Sequence, residues 1–218
     1  MPKLINRIIK ILITSDFFLN LGWGFVAPIF AIFIVQNIAL GSVAKAAEVA
    51  GFASLFFWIT KSILQIPIGR YLDRNHGEKD DFWFMVVGTF MMALVPIGYL
   101  FASRPWHIYL LQVFYAVAAA INFPSWSAIF TRHIDKGKEA FEWGTHSTFL
   151  GFAVGIAGGA GGIAVSVFGF TWVFLFVSFF TFISACLLFF IKKEISPINK
   201  KVVRMAKQRS LHDEPGNR

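Results

Sequence analysis

Three apolar stretches of this 218-residue chain carry side chains that hydrocarbon tolerates only for a reason. In the first, Asp16, Asn20, Trp23 and Ala27 recur every three or four residues and so share one helical face. In another, Lys61 and Gln65 do the same. In a third, Gln112, Tyr115, Ala119, Asn122 and Trp126 fall within a sector of about 80° when ~100° is added per residue. Such a polar and aromatic stripe suits a solute pathway, where hydrogen bonds and stacking hold amphipathic or hydroxylated molecules. The same groups also serve as glue between helices. Asp16 and Lys61 each lie roughly 10 Å from the end of their apolar run at ~1.5 Å per residue, so they are expected to share a depth. There they neutralise each other, act as counter-ions to a solute, or snorkel to the headgroups.

A second kind of chemistry is gathered in GRYLDRNHGEKDDFWF, residues 69–84. Gly69 lets another helix approach its backbone, and Asp73 is placed to accept bonds from a helix N-terminus or from Arg74. Together these three read as a latch on one side of a gate or, as the spacing alone favours, as a solvated turn whose charges fix topology. The glycine and ligand spacing of a calcium loop is missing. Further on, Gly151, Gly155, Gly159 and Gly162 follow Thr148 on one side of a helix and favour close packing. His146 beside them is a group whose charge changes near neutral pH, or a satisfied histidine at a helix end. No nucleophile set, metal cluster or phosphate loop has workable spacing, so no catalytic residue, cofactor or metal is expected.

The elements that must position these residues follow from composition. The chain is 56% hydrophobic and 17% aromatic with 27 phenylalanines, and its mean hydropathy is +0.64, so lipid is its solvent. Six runs near 9–35, 47–68, 82–102, 107–130, 143–167 and 170–191 reach the roughly 20 residues that span a bilayer. The expected fold is an all-α membrane protein of six transmembrane helices in residues 1–191, followed by a basic tail, 192–218, partly disordered and with a stretch at 198–206 able to lie on the inner leaflet. Seventeen of the twenty Lys and Arg residues lie at the N-terminus, between the second and third runs, between the fourth and fifth, or in the tail. That bias puts both termini in the cytoplasm, in a plasma or inner membrane. The net charge of +8 is spread over loops and tail rather than one face, which argues for lipid headgroups and against nucleic acid. A single cysteine, Cys186, excludes an intrachain disulfide. The tight "SRP" and "GF" connections make the third and fourth helices, and the fifth and sixth, antiparallel neighbours.

Gly69, Asp73-Arg74, Gly77 and Lys79 between a second and a third helix resemble the signature loop of the major facilitator superfamily, with two residues, Asn75 and His76, where the family has one. "LGWGFVAPIF" is similar to that family's first helix and "YLLQVFYAVAAAINFPSWSAIF" to its fourth. "GFAVGIAGGAGG" resembles in part its glycine-rich antiporter motif, without the proline. Gln112 stands where many proton-coupled members have arginine, which speaks against a proton-coupled drug exporter. Pro28 and Pro124, each just ahead of an "AIF" triplet, are a faint internal repeat. The resemblance implies one half of a twelve-helix transporter, two inverted three-helix repeats moving a small solute by alternating access. Such a half leaves polar groups facing lipid, so it implies a homodimer or a separately encoded partner half. The alternatives are a non-transporting scaffold or partner subunit, and a truncated half.

Overall fold

The computed structural model describes residues 5–74 and 77–195, and all its regular structure is helical. Five helices follow in order: α1 (Arg7–Asn37), α2 (Val43–Arg74), α3 (Glu78–Leu100), α4 (Pro105–His133) and α5 (Glu139–Leu188). A 3₁₀ turn at Phe189–Ile191 ends the bundle. Each of the five is long and apolar enough to cross a membrane. The tail from 196 onward, with its expected amphipathic stretch, lies outside the described residues, as do Asn75 and His76.

Helix boundaries depart from the apolar runs. At about 1.5 Å per residue, the 32 residues of α2 reach about 48 Å, well beyond a hydrocarbon core of about 30 Å. Its last turns are GRYLDR, so Gly69, Asp73 and Arg74 are helical rather than part of a loop. Lys79 is likewise inside α3, and Gly77 is that helix's N-cap. Of the expected loop, Gly77 alone among the described residues lies outside both helices. The physical reason is that hydropathy falls where the chain leaves lipid, whereas the helix continues as long as nothing breaks its backbone. Glu78, Asp80 and Asp81 in the first turn of α3 then favour a fresh helix start.

The two last apolar runs are one assigned helix, α5, of 50 residues. Gly169 interrupts it, with φ 77° and ψ 168°, a backbone state that side chains resist. Residues on both sides of that break lie against one stretch of α1. A Cβ at Gly24 would touch Ala157 and Val154, one at Gly161 would touch Pro28 and Phe25, and one at Gly22 would touch Val177 and Thr181. The chain therefore reverses at Gly169. Ser15 Oγ also reaches Ser184 O at 3.0 Å from the same side of α1.

α3 packs on α4 and on the later part of α5, and α2 on α4. One apolar core centres on Ile29, Phe33, Ile34, Tyr99 and Phe174, the other on Ile9, Leu12, Met85, Phe130 and Ile191. α2 buries only Ala46, Val49, Ala53 and Leu72, leaving Phe52, Leu55, Trp58, Ile59, Ile63 and Ile66 exposed. The end of the bundle that carries Arg7, Arg70, Arg74, Arg132 and Lys138 is tied by polar bonds. Asn6 caps α1 through Ile9 N at 3.0 Å and donates to His133 O at 2.5 Å and Asp135 Oδ1 at 3.2 Å. The Asn6 bond, and then Lys138, hold the Asp135 carboxyl below its ordinary value.

Candidate functional site

A cavity of about 280 Å³ lies among α1, α2, α4 and the first part of α5. α1 supplies Asp16, Leu19 and Asn20, α2 supplies Phe57 and Lys61, and α5 supplies His146 and Leu150. α4 gives the longest wall, Tyr115, Ala119, Asn122, Phe123 and Trp126, while Met92 of α3 closes the back. Its size is near the lower bound of small-molecule sites, about 300 Å³.

Asp16 and Lys61 both line this space, but they do not pair. Asp16 Oδ2 is instead 2.7 Å from His146 Nε2. Lys61 Nζ sits over the rings of Trp58, Phe123 and Phe57, at 5.1, 5.2 and 5.8 Å from their centroids. Among the described residues Lys61 makes no hydrogen bond and has no carboxylate within 4.0 Å. Aromatic faces attract the ammonium charge but accept none of its three N–H bonds.

The expected stripe on α4 divides. Tyr115 and Trp126 line the cavity, and Tyr115 stacks on Trp23 with centroids 4.1 Å apart and planes at 6°. Trp23 therefore supports the wall without lining it. Gln112 lies outside, donating to Tyr99 Oη at 3.1 Å, and so does not share a cavity with Asp16 and Lys61. Asn122 reaches the wall, yet its Nδ2 is committed to α3, at 3.1 Å from Met85 O and 2.9 Å from Thr89 Oγ1. This is the helix glue that polar groups in lipid commonly provide. Asn20 turns its amide back to Asp16 O at 2.8 Å. Gln65 is half-buried and lies off the cavity.

His146 is the site residue that reading from sequence left aside. Trp126 and Phe130 pack against its ring, at 4.7 and 5.6 Å between centroids. Its depth held a clue: it is seven residues into α5, as Asp16 is nine into α1, and these helices adjoin. The aromatic members Phe57 and Phe123 gave no signal among so many phenylalanines.

A second feature lies at the basic end. Arg132 pairs with Asp81, which is 1% exposed, and Glu78 takes His133 Nε2 at 3.1 Å. On the other side of Arg132, a groove of about 440 Å³ runs between Gly69, Leu72 and Asp73 of α2 and Pro124, Ser127, Ala128 and Thr131 of α4. Among the described residues nothing lies within 4 Å of a Cβ placed on Gly69. Arg74 and Lys79 are exposed. Among the described residues Asp73 has no bonded partner, Arg74 included. Nor, among them, does any group of three or more His, Cys, Asp or Glu come close enough to hold a metal.

The long α4 wall, the intramembrane Asp16 and Lys61 and the short α2–α3 link can be set beside known proteins. The chain is 27% identical over 204 residues to an uncharacterized MFS-type transporter of Methanocaldococcus jannaschii, covering 92% of this chain and 49% of that protein. It thus spans about half the length of this relative. No solved structure matches. The family profile of the Major Facilitator Superfamily matches residues 12–212, a span that includes every wall of the cavity and the groove beside it, and the chain belongs to that family.

Proposed function

We propose that this chain is a six-helix half of a solute transporter working by alternating access, with the cavity at Asp16, Lys61, Tyr115 and Trp126 as its solute pathway. The observation that carries this is a cavity that holds Asp16, Lys61 and His146 inside an apolar bundle whose flanking helices have bare outer faces. α2 leaves a row of large apolar side chains exposed, and a Cβ on Gly151, Gly155, Gly159 or Gly162 of α5 would meet nothing within 4 Å among the described residues. In this reading α5 counts as two crossings joined at Gly169, which makes six, and the basic end and both termini are cytoplasmic by the excess of Lys and Arg. A second six-helix unit then covers the bare faces. In this reading it is another copy of the chain, paired in parallel about an axis normal to the membrane, or a separately encoded half.

The groove beside Gly69 and Asp73 is the natural seat for a helix end of that second unit, where Asp73 would accept its N-terminal N–H groups. Making and breaking this contact supplies the two states that alternating access requires. The hydrogen bonds of Gln112 and Asn122 inside the bundle favour the rival, a scaffold that kept the fold without a pathway.

Cysteine accessibility separates the two readings without knowledge of the solute. In a Cys186→Ser background, Tyr115→Cys and Phe123→Cys are treated in native membranes with a membrane-impermeant maleimide from each side in turn. Transport requires labelling from both sides. Labelling from one side alone, or from neither, sinks the pathway.

A further inference from the structure

We propose that the cavity takes a small organic anion, its charge held by Lys61 and its body by Phe57, Phe123 and Trp126; this rests on the reading of the cavity as a solute pathway. The argument begins with what each polar group has left to offer. Asp16 is the cavity's one carboxylate among the described residues, and one of its oxygens is engaged by His146 at 2.7 Å. The Asn122 amide donates to Met85 and Thr89, and the Asn20 amide to the backbone of Asp16. Lys61 is the exception. Its ammonium lines the cavity with three aromatic rings around it and no acceptor among the described residues.

Trp126 adds to this surplus of donors. It is 9% exposed, and its buried indole N–H has no acceptor among the described residues. A cation entering such a site would meet Lys61 as a like charge, with Asp16 already engaged. A neutral solute would leave the ammonium's charge uncompensated. An anion answers both needs, since a carboxylate bound to an ammonium makes shorter and stronger hydrogen bonds than a neutral pair. The aromatic rings around Lys61 and on α4 add a site for a flat or apolar body beside the charge. The cavity's 280 Å³ limits that body to a small one.

Three probes of one shape and different charge test this: benzoate, benzamide and benzylammonium, titrated against the full chain in lipid nanodiscs and followed by tryptophan fluorescence. Benzoate is expected to bind saturably and more tightly than the other two. Lys61→Gln should weaken it about tenfold or more, the loss of one charged hydrogen bond, while Lys61→Arg keeps most of the affinity. Phe123→Ala is a second variant, expected to weaken benzoate without reversing the order of the probes. Size-exclusion profiles establish that each variant is folded. The proposal is overturned by benzylammonium or benzamide binding as tightly as benzoate, by unchanged benzoate binding in Lys61→Gln, or by no saturable benzoate binding to the parent chain. Any of these, found together with two-sided cysteine labelling, removes the anion and leaves the pathway. One-sided labelling removes the pathway itself.

Discussion

Alanine at three glycines should rank by what the new Cβ meets rather than by how near it is. At Gly88, where α3 crosses α4, the Cβ would lie 2.8 Å from Ala118 O, 2.8 Å from Asn122 Cβ and 3.0 Å from Asn122 N. Two of these are backbone atoms of a packed helix, and only separating α3 from α4 relieves them. Overpacking of this kind costs about 1–3 kcal/mol. The separation also lengthens the bonds from Asn122 to Met85 O and Thr89 Oγ1, worth about 0.6 kcal/mol each in a membrane. Against these stands the gain of roughly 1 kcal/mol for alanine over glycine within a helix. The balance is a loss of about 2 kcal/mol, or a melting temperature lower by about 4–8 °C on the scaling of soluble domains of this size.

Gly98 provides the contrast. A Cβ there meets the end of the Leu111 side chain even more closely, but a methyl group moves by a change of rotamer. That costs about 0.5–1.5 kcal/mol and is nearly offset by the helix gain. At Gly51 nothing lies within 4 Å, so alanine should be neutral or stabilising. Thermal unfolding of the purified variants, followed by tryptophan fluorescence, gives the order directly. If Gly98→Ala melts below Gly88→Ala, or if all three coincide, the helix crossing at Gly88 is not as close as described.

Further outcomes follow from single contacts. Arg132→Gln should destabilise by about 1–3 kcal/mol, the cost of a buried polar group left without its partner, and more than Asp81→Asn, because Arg132 is already 41% exposed; denaturation of both variants checks the order. Gly169→Ala should cost about 1–3 kcal/mol, since its backbone state is open almost only to glycine, and an unchanged melt would mean that the reversal is not held there. A double-mutant cycle of Asp16→Asn and His146→Gln should give a coupling of about 1–2 kcal/mol, as the pair is a hydrogen bond to a charged group; a value inside the additive scatter of about 0.3–0.5 kcal/mol would show the 2.7 Å contact to be idle.

What was legible in the sequence, and what was not, divides along a physical line. Hydropathy reports the solvent around a segment, so it found the apolar segments and the intramembrane Asp16 and Lys61, whose presence in lipid needs an explanation wherever they point. It does not report the backbone, and GRYLDR therefore reads as a loop although it is the end of α2. Helical angle placed Tyr115, Asn122 and Trp126 on one wall, because residues three, four and seven apart must face one way. Angle alone does not tell which neighbour that face meets. Gln112 shares the stripe yet bonds Tyr99 of α3 away from the cavity, and Asn122, although it lines the wall, spends its amide on α3, because both stand where α4 meets α3. The partner of Asp16 was equally hidden. Lys61 was its electrostatic match in the sequence, but α1 lies chiefly along α5 and only slightly along α2, so the carboxylate meets His146. The same packing leaves the ammonium of Lys61 without a counter-charge among the described residues, and in a medium where charge is costly, the group left unpaired is where a ligand has most to gain.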